Sequence, residues 1–198
     1  MHDIENLTEK LKHIVKNELT ASRYRHSLSV AEIAQKIAAA NDISLVKKAY
    51  LAGLCHDYTK QKKNEFHISV FNNHGFDYST LPTAAYHAFS GRFLMQEYID
   101  DNDILNSIQS HTLGHGKMGQ LEQIIYAADF LGSDYAMGKK KKYPLWLEKT
   151  KMNICFGVYL KSRETIDDLL SKKMTIHPYT LETYNFSLSD SRMAENLE

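Results

Sequence analysis

The ten residues Leu51–Lys60 read "LAGLCHDYTK", an apolar run of small and branched side chains that ends in His56 and Asp57. An unpaired buried carboxylate costs several kcal/mol, so Asp57 needs a cation, strong hydrogen bonds or water. The apolar residues before it have helical spacing, and Gly53 and the alanines leave room beside the helix. The stretch therefore predicts a helix whose end faces a polar or metal-binding site.

The composition around this stretch favours helices. The chain has 198 residues with 3 Pro and 9 Gly, and Ala, Leu, Lys, Glu and Ile dominate long segments. We expect an all-α fold, a single helical bundle over residues 1–198 with a core at about 20–135. Helices at about 145–190 would pack on that core.

Charge and cysteine usage limit the partners and the compartment. Lys plus Arg equals Asp plus Glu at 24 each, so no global field attracts nucleic acid or an anionic membrane. Cys55 and Cys155 have no zinc or disulfide spacing and are predicted core thiols in a reducing compartment. The charged N-terminus and the lack of 18 consecutive apolar residues favour a cytoplasmic protein with no membrane segment.

Helical periodicity divides the chain into about nine segments. Four of the predicted helices carry the arguments below. The first runs from about Ser22 to Ala40, and the second is N-capped by Ser44. The third runs from about Leu81 to Ile99, and a long fourth follows "KKKKYP" with a candidate interruption near Gly157.

Histidines and aspartates occur at inward positions on several of these helices. His26 precedes Val30 by four residues on an apolar stripe, and taken alone it is interpreted as a core histidine. The alternative that all such residues are unrelated polar groups requires five helices each to tolerate a costly side chain. Helical bundles build metal sites from facing helices. The set is His26, His56, Asp57, His87, His111 and Asp129.

This set has too many ligands for one catalytic zinc but enough for two metals. Imidazole and carboxylate without thiolate suit iron, manganese or another divalent cation. A carboxylate such as Asp57 could bridge two metals about 3.5–4 Å apart, a spacing that serves phosphoester and anhydride hydrolysis.

The order H…HD…H…H…D resembles that of the HD-domain metal-dependent phosphohydrolases. The match is closest to the YqeK family, through "RYRHSLSVAEIAQKIA", "KAYLAGLCHDYTK", "YHAFSG", "IQSHTLGHGKMGQLEQIIYAADFLG" and "IHPYTLETYN", and it covers about Arg23 to Asn185. The resemblance implies an HD-domain bundle that hydrolyses diadenosine tetraphosphate symmetrically to two ADP.

The resemblance also implies roles for individual residues. The first iron would be held by His26, His56, Asp57 and Asp129, and the second by Asp57, His87 and His111. Water activated by both metals would attack a phosphorus, with the bridging Asp57 and with Lys60 as the catalytic residues.

Four residues are candidates for substrate contact. Lys60 would place a positive charge near a phosphate, or else be an exposed lysine at a helix end. Arg23 could reach a phosphate or form a surface ion pair with a carboxylate. Thr112 and His115, in a glycine-rich turn, could meet substrate oxygens, and His115 is not expected to be a metal ligand. The histidines predicted to lie at the surface are His2, His13, His67 and His74.

One departure from the family pattern follows Asp129. The chain reads "DFLGSDYAMGKKKKYP", where the family commonly has an acidic residue, proline and then arginine. A phosphate contact from this loop is therefore in question, and Lys139–Lys142 either compensate or form a solvated loop.

Two alternatives stay open beside the tetraphosphate hydrolase. The same two-metal site could cleave another phosphoester, such as a nucleoside monophosphate, a cyclic dinucleotide or an alarmone. The protein could also bind metal and nucleotide without turnover, although the presence of all six ligands argues against this. The expected partner is a small nucleotide, and a homodimer is an open alternative to a monomer.

Overall fold

The computed structural model describes residues 2–195, with side chains from 4 to 188. Over that range it contains helices and no strand, so the all-α prediction is confirmed. The helices are α1 His2–Glu18, α2 Ala21–Asn41, α3 Val46–Cys55, α4 Asn64–Asn73, α5 Tyr86–Met95, α6 Asn102–Ser110, α7 Gln120–Leu131, α8 Asp134–Gly138, α9 Tyr143–Met152, α10 Ile154–Ser171 and α11 Pro178–Glu195.

Helices α2, α3 and α7 pack together at the centre, and a glycine allows the closest of these approaches. A Cβ atom on Gly53 of α3 would lie 2.8 Å from Cα and 2.9 Å from the backbone N of Ala31 on α2. No larger residue fits there without moving one of the two helices. The small residue seen in the sequence therefore brings the end of α3, with His56, close to α2.

The main apolar core runs from α1 to α10, and a smaller aromatic cluster lies beside it. Val30, Leu54 and Ile124 are among the fully buried side chains of the main core. The smaller cluster contains Phe71 and Phe89. Burial of these side chains supplies most of the driving force that holds the helices, and hence the site, in place.

The C-terminal helices pack on this core through α10, which contacts α7 and α11. Gly114, in the turn after α6, has a φ of +64°, which a residue with a side chain rarely adopts. The neighbouring Thr183 hydroxyl of α11 donates a hydrogen bond to the carbonyl oxygen of Leu113 at 3.2 Å. Helix α11 thus fixes the turn that follows His111.

Several predicted helix boundaries are wrong, and capping explains two of them. Asp42, rather than Ser44, caps the 3₁₀ turn before α3, because its carboxylate accepts from the Ser44 backbone N–H at 2.9 Å. The C-terminal segment is interrupted at Asn153, whose side chain accepts from the N–H of Cys155 and starts α10. Gly157 lies inside α10, where the helix passes close to α9.

The predicted helix from Leu81 to Ile99 is shorter in the structure. Pro82 has an extended backbone and precedes a 3₁₀ turn at Thr83–Ala85, so α5 begins only at Tyr86 and ends at Met95. Extended backbone at Pro82 cannot be part of an α-helix, which explains the late start.

Two predictions of side-chain environment are also corrected. His67 is buried rather than at the surface, with its Nδ1 atom 2.8 Å from the Ser90 hydroxyl. Cys55 is buried as predicted, whereas Cys155 is only partly buried. His13 and His74 are exposed, and His2 lies outside the described side chains. Within residues 2–195, no helix is both long and apolar enough to cross a bilayer.

Candidate metal centre

Six side chains from five helices converge at the centre of the bundle. They form three overlapping groups in which all ligand atoms lie within 4.8 Å of one another. One side chain comes from the second turn of α2, two from the residues that follow α3, one from the start of α5, one from the residue after α6 and one from the last turn of α7. They are His26, His56, Asp57, His87, His111 and Asp129, all of them predicted from the sequence.

The two carboxylate oxygens of Asp57 face different pairs of histidines. Its Oδ2 atom lies 3.4 Å from Nε2 of His56 and 3.7 Å from Nε2 of His26. Its Oδ1 atom lies 3.3 Å from Nε2 of His87 and 3.6 Å from Nε2 of His111. A carboxylate in this position can contact two cations, one through each oxygen.

Backbone carbonyls hold two of the imidazoles with their Nε2 atoms directed inward. The Nδ1 atom of His56 donates to the carbonyl oxygen of Gly53 at 2.6 Å, and that of His111 donates to Ile108 at 2.7 Å. When either ring is neutral, the form in which imidazole binds a metal, its Nε2 atom is therefore the unprotonated one. Such backbone hydrogen bonds commonly orient metal-bound histidines.

The Nε2 atom of His56 is buried and makes no well-formed hydrogen bond among the described residues, although Oδ2 of Asp57 and Oδ1 of Asp129 each lie 3.4 Å away. A buried polar atom without a partner is costly unless something absent from the protein satisfies it. Nitrogen and carboxylate oxygen donors converge there without any thiolate, which suits a divalent cation. The cluster can therefore hold a metal ion.

Sequence reasoning missed Lys161 of α10, which lies directly behind Asp129. The Oδ1 atom of Asp129 faces His26 at 3.1 Å and His56 at 3.4 Å, whereas Oδ2 accepts from the Lys161 ammonium at 2.7 Å. Lys161 also donates to the carbonyl oxygen of His111 at 2.6 Å. Its place in the apolar segment "FGVYLKS" is the signal that could have identified it.

The charges of the cluster shift several pKa values strongly. Burial lowers the pKa of His56, but Asp57 and Asp129 outweigh burial and raise it to about 10. Burial lowers the pKa of His111 to about 3. Burial would raise the pKa of Asp57, yet the surrounding imidazoles hold it well below its usual value. Both carboxylates therefore stay ionised, and their negative charges favour the protonated form of His56.

Three of the four predicted substrate contacts lie at this cluster. The Arg23 guanidinium donates to Oδ2 of Asp57 at 2.9 Å, so its ion pair is with a cluster residue. The Lys60 ammonium lies 3.3 Å from Nε2 of His87, and burial lowers the pKa of Lys60. The Thr112 hydroxyl lies 3.2 Å from the same Nε2 atom.

The fourth predicted contact, His115, interacts outside the cluster. Its Nε2 atom lies 2.9 Å from Glu122, and its Nδ1 atom accepts from the Lys117 backbone N–H at 3.2 Å. His115 lines a cavity of about 360 Å³ together with Gln109 and Tyr179.

The cluster is open to solvent on one side. The side chains of His56, Asp57, His87 and His111 are at most 4% exposed, whereas Asp129 is 23% and Arg23 34% exposed. A cavity of about 430 Å³ on that side is lined by Arg23, Arg25 and His26 and by residues 132–134. A ligand can therefore reach the cluster past two arginines.

The loop that departs from the family pattern contributes Gly132, Ser133, Asp134 and Met137 to the lining of this cavity. Tyr135 is exposed, and its hydroxyl donates to Glu164 at 2.8 Å. The Lys139 ammonium lies over the Tyr135 ring at 4.7 Å. Lys139–Lys142 are all exposed.

The chain belongs to the HD-domain family, whose sequence profile matches residues 23–133. It is 33% identical to the protein of Halalkalibacterium halodurans named symmetrical bis(5'-nucleosyl)-tetraphosphatase, over 92% of this chain and 98% of that protein. The protein of the same name from Bacillus subtilis is 30% identical over 89% and 95% of the two chains.

A solved structure has a similar fold over nearly the whole chain. It is described as a predicted HD superfamily hydrolase involved in NAD metabolism, from Clostridium acetobutylicum. The TM-score is 0.79 at 28% identity, covering 92% of this chain and 97% of that one.

Proposed function

We propose that this protein is a metal-dependent hydrolase that cleaves diadenosine tetraphosphate symmetrically into two ADP. The observation that carries the proposal is the position of Asp57, whose two oxygens face two different histidine pairs. A two-metal arrangement of this kind suits hydrolysis of phosphoanhydrides. The relatives named symmetrical tetraphosphatases, which align over almost the whole chain, supply the substrate.

In this proposal His26, His56, Asp57 and Asp129 hold one cation, and Asp57, His87 and His111 hold the second. Bound cations of this type lower the pKa of a water molecule and neutralise charge on phosphoryl oxygens.

The remaining residues position the substrate. Arg23 lies at the open side of the site, where its guanidinium can form bidentate hydrogen bonds with phosphate oxygens. Lys60 and Thr112 flank His87 and present an ammonium and a hydroxyl to the same space. His115 is the fourth proposed substrate contact, and it lines a separate cavity together with Gln109 and Tyr179.

The proposal includes three further points. The resident metal is iron, with manganese as the alternative, since the donors are nitrogen and carboxylate oxygen. The chain acts as a single domain in the cytoplasm, on a small nucleotide and not on nucleic acid. A homodimer is compatible with the site, because all six proposed ligands come from one chain.

Product analysis tests the proposal directly. The protein is purified without oxygen in the presence of ferrous iron, incubated with diadenosine tetraphosphate, and the nucleotides are separated. ADP as the sole product is expected. ATP with AMP would move the attack to another phosphorus, and no product from protein that holds two metals would contradict the proposed reaction. The Asp57→Asn variant serves as the inactive control.

A second candidate is hydrolysis of a different nucleotide at the same site. The loop after Asp129 favours it, because this chain lacks the acidic residue, proline and arginine that the family commonly has there, and Tyr135 of this loop contacts Glu164 instead. A panel with nucleoside monophosphates, cyclic dinucleotides and alarmones decides between the two candidates. A far higher kcat/KM for one of these would replace diadenosine tetraphosphate as the substrate.

A further inference from the structure

Lys161 is a buried lysine at the edge of the cluster, and no step of the proposed reaction uses it. The residue is 7% exposed. Its ammonium donates to Oδ2 of Asp129 at 2.7 Å and to the carbonyl oxygen of His111 at 2.6 Å, and it lies 4.3 Å from the centre of the Tyr126 ring. Lysine is rarely buried to this extent without a specific partner. The two hydrogen bonds connect α10 to α7 and to the residue that follows α6.

We propose that Lys161 is the resident counter-cation of the metal centre: it neutralises Asp129 before any metal binds and leaves Oδ1 as the oxygen that faces the incoming cation. The inference rests on the proposed metal site. Asp57 pairs with the Arg23 guanidinium and Asp129 pairs with the Lys161 ammonium. Each carboxylate thus has its own arginine or lysine partner without metal, in addition to the imidazoles that face it.

The two cations differ in their freedom to leave. The Arg23 side chain is 34% exposed at the open side and can turn toward a ligand. Lys161 is 7% exposed, and its ammonium bonds Asp129 and the carbonyl oxygen of His111 and lies over a fully buried tyrosine ring. In this inference Lys161 keeps its hydrogen bond to Oδ2 when a metal binds, so only the Oδ1 atom of Asp129 would be available to the metal.

A counter-cation at Asp129 changes the affinity for metal, whereas a residue that only packs in the core does not. Lys161 and a metal ion compensate the same carboxylate, so each weakens the stabilisation that the other provides. Removal of the ammonium should destabilise the metal-free protein strongly, because the Oδ2 atom of Asp129 loses its cationic partner. The metal should then recover part of that loss.

The experiment compares Lys161→Met with the unsubstituted protein. Tm is measured in a chelator and in excess Mn²⁺, and Mn²⁺ affinity is measured by calorimetry. In the chelator, we expect Tm to fall by roughly 10 °C. Mn²⁺ should bind about tenfold more tightly to the variant, which corresponds to a metal-induced rise in Tm that is roughly 5 °C larger than in the unsubstituted protein.

Two further variants control for packing and for charge. Val158→Ala removes buried apolar volume from the same helix and should lower Tm equally with and without Mn²⁺. Lys161→Arg keeps the charge and should retain the metal response of the unsubstituted protein. If Lys161→Met does not fold in either condition, Lys161→Gln, which keeps a donor without the charge, is judged by the same criteria.

The outcomes separate this inference from the proposed function. An equal loss of Tm in chelator and in Mn²⁺, or weaker Mn²⁺ binding by the variant, would show that Lys161 is only a packing or ligand-holding residue and overturn the inference. If Mn²⁺ raises the Tm of neither the unsubstituted protein nor any variant, the metal centre itself is wrong.

Discussion

The Nε2 atoms of His87 and His111 lie 3.0 Å apart across the cluster. Because Nδ1 of His111 donates to a backbone carbonyl, its Nε2 atom has a free electron pair directed at the opposite ring. Burial lowers the pKa of both histidines, so both rings are held neutral, the form that binds metal. This pair defines the half of the site assigned to the second cation.

Replacing one member of this pair should remove one metal. We expect His87→Gln to reduce bound metal from two ions per chain to one, because the second cation keeps only Asp57 and His111 as ligands. Elemental analysis of the purified variant measures this. His74→Gln is the matched control, since His74 is exposed and stacks on Phe93 at 4.4 Å. Two full equivalents of metal in His87→Gln would remove His87 from the proposed ligands.

Asp57 should be required for both metals at once. Asp57→Asn keeps the shape of the side chain but lacks the charge that two cations share, so metal content and hydrolysis of diadenosine tetraphosphate should both be lost. The exposed Asp103, which pairs with Lys48, provides the control Asp103→Asn with normal activity. Turnover retained in Asp57→Asn would rule out the bridging role.

Lys60 should affect the substrate and not the metals. We expect Lys60→Gln to lower kcat/KM by about tenfold, the effect of losing about 1.4 kcal/mol of interaction with a phosphate, with two metals still bound. Lys62→Gln removes the same charge two residues away, where Lys62 pairs with Glu18, and should behave as the unsubstituted protein. Equal kinetics for the two variants would make Lys60 a surface lysine.

The stability of the metal-free protein should decrease at alkaline pH. The folded-state pKa of His56 is raised to about 10 from an ordinary 6.5, so its proton stabilises the fold fully below pH 6.5, and this contribution is lost as pH rises through 10. Tm measured in a chelator should therefore fall between pH 7 and 10. His56→Gln should show a smaller fall, and an unchanged slope in that variant would assign the effect to other groups.

The absence of a side chain at Gly53 should stabilise the protein by allowing α3 to pack closely on α2. In Gly53→Ala the added methyl group meets the backbone of Ala31, and we expect a loss of about 1–3 kcal/mol in the free energy of unfolding together with weaker metal binding. Denaturant unfolding and metal titration measure the two effects. Gly138→Ala is the control, because a Cβ there has no neighbour within 4 Å. An alanine at position 53 that changes neither quantity would contradict the close packing.

The sequence by itself determined the helical class and all six side chains of the cluster. Helical periodicity reports which residues face inward, and a charged residue such as Asp57 or Asp129 on an inward position is costly enough to be noticed. The substrate could be inferred only through the family resemblance, because the residues proposed to contact a nucleotide, such as Lys60 and Thr112, are of types that are ordinary at protein surfaces.

Only the tertiary structure decided which groups are paired. Lys161 comes from a helix beyond residues 23–133, and no local pattern relates it to Asp129, which is 32 residues away. The tautomers of His56 and His111 depend on carbonyls placed by helix ends, and the burial of His67 depends on contact with α5. Periodicity fixes the face on which a residue lies, whereas hydrogen bonds and ion pairs depend on distances between helices, which follow from the packing of the whole core.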